Sequence, residues 1–225
     1  MIRFCGYDWI PQERWGQMHP DKPYVWYDAD MIEQHSPTYL TLKAEYKPKM
    51  FRNRKAEMAV GLISCTEEFS YGSFSLDAKL PTQAYAWPAF WMWSWYSWPP
   101  EIDVFEGYAN RKGNYNNKWW QVLIGQPYKV ETNIHLKKDT NLGALCGRVV
   151  SPHKKFNNYR LEWTPKYIHI FYNDFLVRKV DGDALDYFKD QRMNVVINNS
   201  LYKPHVSHSE TTGCFEVKNF VYEKY

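Results

Sequence analysis

From Tyr39 onward the chain repeats one pattern: short runs rich in Val, Ile, Tyr, Phe and Trp, with apolar and polar residues alternating, each closed by Gly, Pro, Asn or Asp. A period of two marks a strand with one buried face. The pattern predicts strands over Tyr39–Glu45, Glu57–Cys65, Tyr71–Lys79, Ala86–Met92, Ile102–Gly107 and Thr132–Leu136, and again over Asn158–Trp163, Ile168–Tyr172, Phe175–Lys179, Met193–Asn198 and Phe215–Tyr222. So many strands must stack or close to bury their faces, so the expected fold class is all-β, a sandwich of two stacked antiparallel sheets. One helix is expected at Asp183–Asp190, with Asp183 as N-cap and Leu185 and Phe188 three apart on one face. Residues 1–38, rich in Pro and Trp, are expected to wrap the sandwich in irregular form. No repeat or linker divides the 225 residues, which suffice for one core, so 1–225 reads as a single domain.

Charge narrows the partners. Lys and Arg number 28 against 25 Asp and Glu, a net +3 that is too small to indicate nucleic acid. The basic residues gather at Lys43, Lys47, Lys49, Arg52, Arg54 and Lys55, read first as an exposed, solubilising loop and alternatively as a rim attracting sulfate or carboxylate groups. No apolar run is long enough to span a bilayer, so no membrane partner is expected. Cys5, Cys65, Cys146 and Cys214 form no C-x-x-C pair, so buried thiols are expected rather than a zinc or redox site, and a Cys5–Cys214 bridge is left to geometry. No metal and no cofactor is expected, and the protein is expected to act as a monomer. Aromatic residues reach 18%, with 11 Trp and 18 Tyr, and flat amphipathic rings suit both β-sandwich cores and the faces of sugars.

Chemistry concentrates in Trp98-Pro-Pro-Glu101-Ile-Asp103-Val-Phe-Glu106-Gly107, where three carboxylates fall within six residues of an apolar strand. Regular alternation puts Glu101 and Asp103 on one face but gives Phe105, not Glu106, the next place there. A β-bulge at Val104–Phe105 restores the parity and brings Glu106 onto the same face. Three acids on one face lose their protons in coupled steps, and at least one titrates late. A glycosidase needs that: one carboxylate ionised to attack the anomeric carbon, another protonated to release the leaving oxygen. Glu101 fits the nucleophile and Glu106 the acid/base, with Asp103 orienting Glu101 and raising the pKa of Glu106. A calcium site is disfavoured, because the acids alternate with Ile, Val and Phe instead of lying on a Gly-bearing loop.

The chain resembles glycoside hydrolase family 16, the group of laminarinases, lichenases, agarases and κ-carrageenases. Glu101-Ile-Asp103-Val-Phe-Glu106 is similar to the family's bulged E-x-D-x-x-E, and Pro88-Ala-Phe-Trp91-Met to its P-A-F-W-L strand. Gly61-Leu-Ile-Ser, Tyr71-Gly-Ser-Phe-Ser-Leu-Asp-Ala-Lys-Leu-Pro81, Tyr159-Arg-Leu-Glu-Trp163-Thr-Pro and Ile168-His-Ile-Phe-Tyr172-Asn-Asp resemble further family segments. The resemblance runs from about Tyr39 to Tyr222 and implies a jelly-roll β-sandwich with a concave substrate cleft and a retaining mechanism. Two departures stand out. The family's W-P-x-x-G-E is shortened here to Trp98-Pro-Pro-Glu101, and Lys218 occupies the place of an Asp that helps bind a structural calcium in many members, which argues against that calcium.

Between Trp87 and Trp98 the sequence WPAFWMWSWYSW carries five tryptophans. Trp87 is read as core. Trp91 matches the family residue at the cleft floor; Trp98, three residues before Glu101, and Trp95 and Tyr96 on the loop are read as sugar-stacking. His135 and Asn198 resemble family residues that face the acids. Trp119-Trp120 has no anchor, and His205 and His208 are assigned nothing. The expected function is a retaining endo-β-glycanase, most simply an endo-1,3-β-glucanase. The alternatives are an endo-β-galactanase on sulfated or host galactans, and a sugar-binding or virion adhesion module without catalysis. The opening MIRFCGYDWIPQERW lacks a signal-peptide pattern, so an enzyme acting extracellularly is expected either to have lost its signal or to leave the cell in a phage particle or at lysis.

Overall fold

The alternating runs form strands in the computed structural model of the protein, which describes residues 1–19, 21–109, 128–149, 151–202 and 213–225. In chain order these are β1 (Ile2–Phe4), β2 (Tyr7–Ile10), β3 (Val25–Tyr27), β4 (Ile32–Ser36), β5 (Tyr39–Phe51), β6 (Arg54–Val60), β7 (Leu62–Cys65), β8 (Gly72–Lys79) and β9 (Ala86–Ser94). Then come β10 (Ser97–Gly107), β11 (Tyr128–Lys137), β12 (Thr140–Asn141), β13 (Leu145–Val149), β14 (Asn157–Trp163), β15 (Ile168–Tyr172), β16 (Phe175–Val180), β17 (Asn194–Leu201) and β18 (Gly213–Lys224). One sheet has the order β1-β2-β7-β17-β9-β10-β11-β12, with β13 also on β11; the other runs β16-β15-β14-β8-β18-β5-β6-β3, with β4 on β5. Neighbours are antiparallel except β3, which lies parallel to β6. This is the expected two-sheet sandwich.

The core lies between the sheets because alternate residues of both turn inward. From the first come Phe90, Met92, Ile102, Val104, Phe105 and Ile134; from the second, Phe74, Leu76, Tyr159, Leu161, Trp163 and Phe215, all fully buried. Phe105 sits 4.2 Å from the Tyr159 ring and 6.0 Å from Phe215. Burying such a side chain contributes about 1.5–3 kcal/mol, which favours holding this residue inward.

Five expectations need correction. Glu57–Cys65 is not one strand: it splits at Gly61 into β6 and β7, which belong to different sheets. Gly61 bonds both, its N–H donating to Lys43 O (2.8 Å) on β5 and its carbonyl accepting from Asn199 N–H (2.9 Å) on β17. Residues 1–38 are not wholly irregular but hold β1 to β4 and a 3-10 turn. Cys5 and Gly6, both at positive φ, close the β1–β2 hairpin. The expected helix is a 3-10 helix at Gly182–Phe188 that begins after Asp181, not Asp183, with no side-chain cap; apolar residues three apart match the 3-10 period. Of the cysteines only Cys65 is buried, and no disulfide joins any of the four.

The basic segment is a β5–β6 hairpin rather than a loop. Lys43 pairs with Glu33 at 2.7 Å, Lys47 reaches Asp28 and Asp30, Lys55 pairs with Glu57, and Lys49 stands 4.4 Å over the Trp26 ring. Trp119-Trp120, His205 and His208 lie outside the described residues.

Candidate active site

The bulge decides the site. Asp103 lies opposite Trp91 on β9 and Asn133 on β11, whereas Glu106 lies opposite Ala89 and Glu131. Strand β10 thus uses three steps where each neighbour uses two. Val104 and Phe105 both turn into the core, and Glu106 emerges beside Glu101 and Asp103, as expected. Side chains bond the carbonyls at this irregularity: Thr132 Oγ1 donates to Asp103 O (2.7 Å) and the Tyr172 hydroxyl to Val104 O (3.0 Å).

The three acids line a cleft of about 640 Å³ on the outer face of the first sheet. Its floor is the odd-numbered face of β9 (Trp87, Ala89, Trp91, Trp93) with Asn198 and Ser200 from β17 and Asn133 and His135 from β11. One wall comes from the N-terminal segment: Trp15, 5.1 Å from the Trp93 ring, with His19, Asp21 and Tyr27.

Each acid has its own partners. Trp98 Nε1 donates to Glu101 Oε2 at 2.8 Å, and His135 Nε2 lies 3.5 Å from Glu101 Oε1. Trp87 Nε1 and the Tyr108 hydroxyl both donate to Glu106 Oε1 at 2.9 Å. Asp103 is buried between them; its Oδ2 is 3.3 Å from His135 Nε2 but takes part in no hydrogen bond. Burial is the main cause of an upward pKa displacement in all three. Asp103 reinforces it for Glu101, with His135 and Trp98 opposing; Glu106 reinforces it for Asp103; and the donors Tyr108 and Trp87 oppose it for Glu106. As a set, the acids hold protons to higher pH than isolated carboxyls do.

Around the acids, Trp91 Nε1 donates to Asn198 Oδ1 at 2.8 Å, fixing both on the floor. Burial lowers the His19 pKa to about 4. Its Nδ1 accepts from the Asp21 and Lys22 amides, so the neutral ring carries its proton on Nε2 and offers a donor. The ligand atoms of Glu101, Asp103 and His135 lie within 4.8 Å of one another, the one such metal-capable group among the described residues.

Of the residues singled out from sequence, Glu101, Asp103, Glu106, Trp91, Trp98, His135 and Asn198 converge here. Trp95 and Tyr96 do not; they border a separate open hollow with Thr66, Glu67, Glu68 and Arg192, where Tyr96 is 75% exposed and lies under Arg14. Trp87, read as core, belongs to the cleft and bonds Glu106. Asn133 and Tyr108 were missed; Asn133 shares the face of His135 two residues on, a signal alternation contains. Trp15, His19 and Tyr27 carry no periodic signal. None of the basic residues from Lys43 to Lys55 lines the cleft.

Residues 21–215 match the sequence model of the family described as "Glycosyl hydrolases family 16". A "Beta-1,3-glucan-binding protein" of Penaeus monodon is 28% identical over 124 residues, covering 50% of this chain and 32% of that protein. A "Beta-glucanase" of Rhodothermus marinus is 27% identical over 159 residues, covering 65% of this chain and 49% of that one. These matches span a third to a half of the relatives' own lengths. Among solved structures, SCLam, "a non-specific endo-beta-1,3(4)-glucanase", superposes with a TM-score of 0.78 at 18% identity, over 97% of this chain and 85% of that one.

Proposed function

The chain belongs to family 16 of the glycosyl hydrolases, and from that premise we propose that it is a retaining endo-β-glycanase, most simply an endo-1,3-β-glucanase. The observation that carries the reading is the bulge, which sets Glu101, Asp103 and Glu106 on one face of an aromatic-floored cleft. Glu101, as its anion, attacks the anomeric carbon while Glu106 gives its proton to the departing glycosidic oxygen. Glu106 then takes a proton from water, whose oxygen displaces Glu101 and restores the original configuration. Trp98 N–H supports the Glu101 anion. Both donors to Glu106 reach Oε1, which leaves Oε2 to carry the transferable proton. Burial raises the pKa of all three acids, the direction an acid catalyst needs.

A β-glucan substrate is supported by the names of the relatives and by the flat rings of Trp15, Trp87, Trp91 and Trp93. Of the basic segment that motivated a sulfated galactan, Lys43, Lys47 and Lys55 pair with carboxylates, and none of its residues lines the cleft. One second reading has an observation in its favour: the shrimp relative is named for binding β-1,3-glucan.

Incubation with laminarin, lichenan and galactans, with products resolved by mass spectrometry, separates these readings. Internal cleavage of β-glucan is expected, with proton NMR showing the β-anomer formed first. Glu101→Gln is expected to lower turnover roughly a thousandfold or more with an unchanged circular-dichroism spectrum. Wild-type turnover in that variant, or an α-anomer as first product, rejects the mechanism, and tight glucan binding without products favours the binding reading.

A further inference from the structure

The atoms between the nucleophile and its neighbours are arranged for a cation as much as for a proton. Asn133 fixes the chemistry of His135: its Oδ1 accepts from the Ile134 amide at 2.9 Å, so its Nδ2 is the group facing His135 Nε2 at 3.2 Å. An amide nitrogen only donates, so Nε2 accepts this bond through its single lone pair and the neutral ring carries its proton on Nδ1. A cation at Nε2 takes that lone pair over from the Asn133 hydrogen bond, and two carboxylates stand close to the same atom. Asp103 Oδ2 stands 3.3 Å away and Glu101 Oε1 3.5 Å away, and a ring of this tautomer has no proton to give either. Asp103, 4% exposed, accordingly leaves Oδ2 without a hydrogen bond and facing this point.

We propose that His135, Asp103 and Glu101 form a binding site for a Zn2+-like divalent cation, and that its occupancy blocks the cleft. Ligands about 2.1 Å from a tetrahedral ion lie about 3.4 Å from one another. The two separations from His135 Nε2, 3.3 and 3.5 Å, straddle that value, and all three atoms lie within 4.8 Å of one another. One imidazole nitrogen with two carboxylate oxygens suits zinc, and two carboxylate charges balance it. Calcium takes six to eight oxygens and magnesium a near-octahedral oxygen shell, which three ligands including a nitrogen do not supply. The fourth position opens to the cleft for water or a sugar hydroxyl. Because the ion takes Glu101 Oε1, it competes with the attack assigned to Glu101; this blocking role rests on the proposed function, whereas the binding does not.

Calorimetric titration of the protein with Zn2+ in a non-chelating buffer at neutral pH tests the site. One equivalent is expected to bind, and His135→Ala and Asp103→Asn are each expected to weaken it at least about tenfold, with folding checked by circular dichroism. The exposed Cys146 and Cys214 are competing ligands, so the double variant Cys146→Ser, Cys214→Ser is expected to bind as wild type. Loss of binding there, or unchanged binding in His135→Ala, overturns the proposal. Should a variant fail to fold, nitrogen-15 shifts of the wild-type His135 ring decide: zinc is expected to move Nε2, and an unmoved Nε2 overturns the site. In assays, zinc is expected to raise KM for β-glucan and leave kcat unchanged. Unaltered cleavage at saturating zinc rejects the blocking role alone, and a chain that binds zinc but cleaves no glucan rejects only the enzymatic reading.

Discussion

Glu13 is the residue whose state departs most from what its sequence context suggests. It lies in the polar stretch Pro11-Gln-Glu-Arg14, yet it is fully buried. Burial pushes its pKa up to about 8, the nearby Ser64, Arg14 amide and Trp93 indole pulling back and Glu101 adding to the rise. The unfolded value is near the ordinary carboxyl's, about 4.3. Between the two the folded state holds the proton that the unfolded state has released, so this group's contribution is intact at low pH and is lost as pH climbs from about 4.3 to about 8. At about 1.36 kcal/mol per pKa unit the loss has a ceiling of roughly 5 kcal/mol. Glu13→Gln removes that slope, so its melting temperature is expected to fall less between pH 5 and 8.5 than the wild type's. The raised acids of the cleft leave a residual slope in both proteins, and parallel melting curves across that range refute the assignment. Nothing in Gln-Glu-Arg announces burial, because the packing that buries Glu13 comes from residues distant in sequence. Trp87 misled for the related reason that a partly buried indole on a cleft floor and one in a core share the same alternation.

At the scale of elements, Gly61 shows what a strand pattern hides. Glu57 to Cys65 is apolar enough to read as one continuous strand, but the chain changes sheets in the middle, and the change needs a residue without a side chain. A Cβ at Gly61 meets Met31 O at 2.5 Å and Leu42 Cα at 3.1 Å, both of them backbone and unable to rotate away. Gly61→Ala is therefore expected to lower the unfolding free energy by about 1–3 kcal/mol, read from the urea midpoint; a shift within error contradicts this account. The long strands were legible because alternation over seven or more residues has few competing explanations. The bulge was legible because a third acid out of parity demands it. Strands β1 to β3, of three or four residues, fall below any window in which a period shows, and their pairing is set by neighbours such as β6 and β7. Trp95 and Tyr96 were read as sugar-stacking because they sit on the loop, but at the β9–β10 turn they border a separate hollow instead of the cleft.

Across the whole molecule, the second sheet reaches the chemistry of the first through Arg178. This residue of β16 is 3% exposed, and its Nη2 donates to the carbonyls of Thr132, at 3.0 Å, and of Gly143. Thr132 in turn donates its hydroxyl to Asp103 O, so β16 braces the bulge from beneath. No carboxylate among the described residues forms an ion pair with it. A buried cation bonded only to carbonyls carries a desolvation cost, and here its field acts on Asp103, where it favours the anion against the burial that opposes it. Removing the charge leaves the cluster of acids harder to ionise. If Glu101 must lose its proton to attack, the acidic limb of the kcat/KM profile on β-glucan then moves to higher pH. Arg178→Gln is expected to shift that limb upward by on the order of half a unit to one unit, whereas Arg178→Lys, which keeps the charge but not the fork, is expected to hold the limb in place. A purely structural role predicts otherwise: both variants lose activity evenly at all pH values and the limb stays where it was. Equal limbs in Arg178→Gln and wild type therefore reduce Arg178 to a brace.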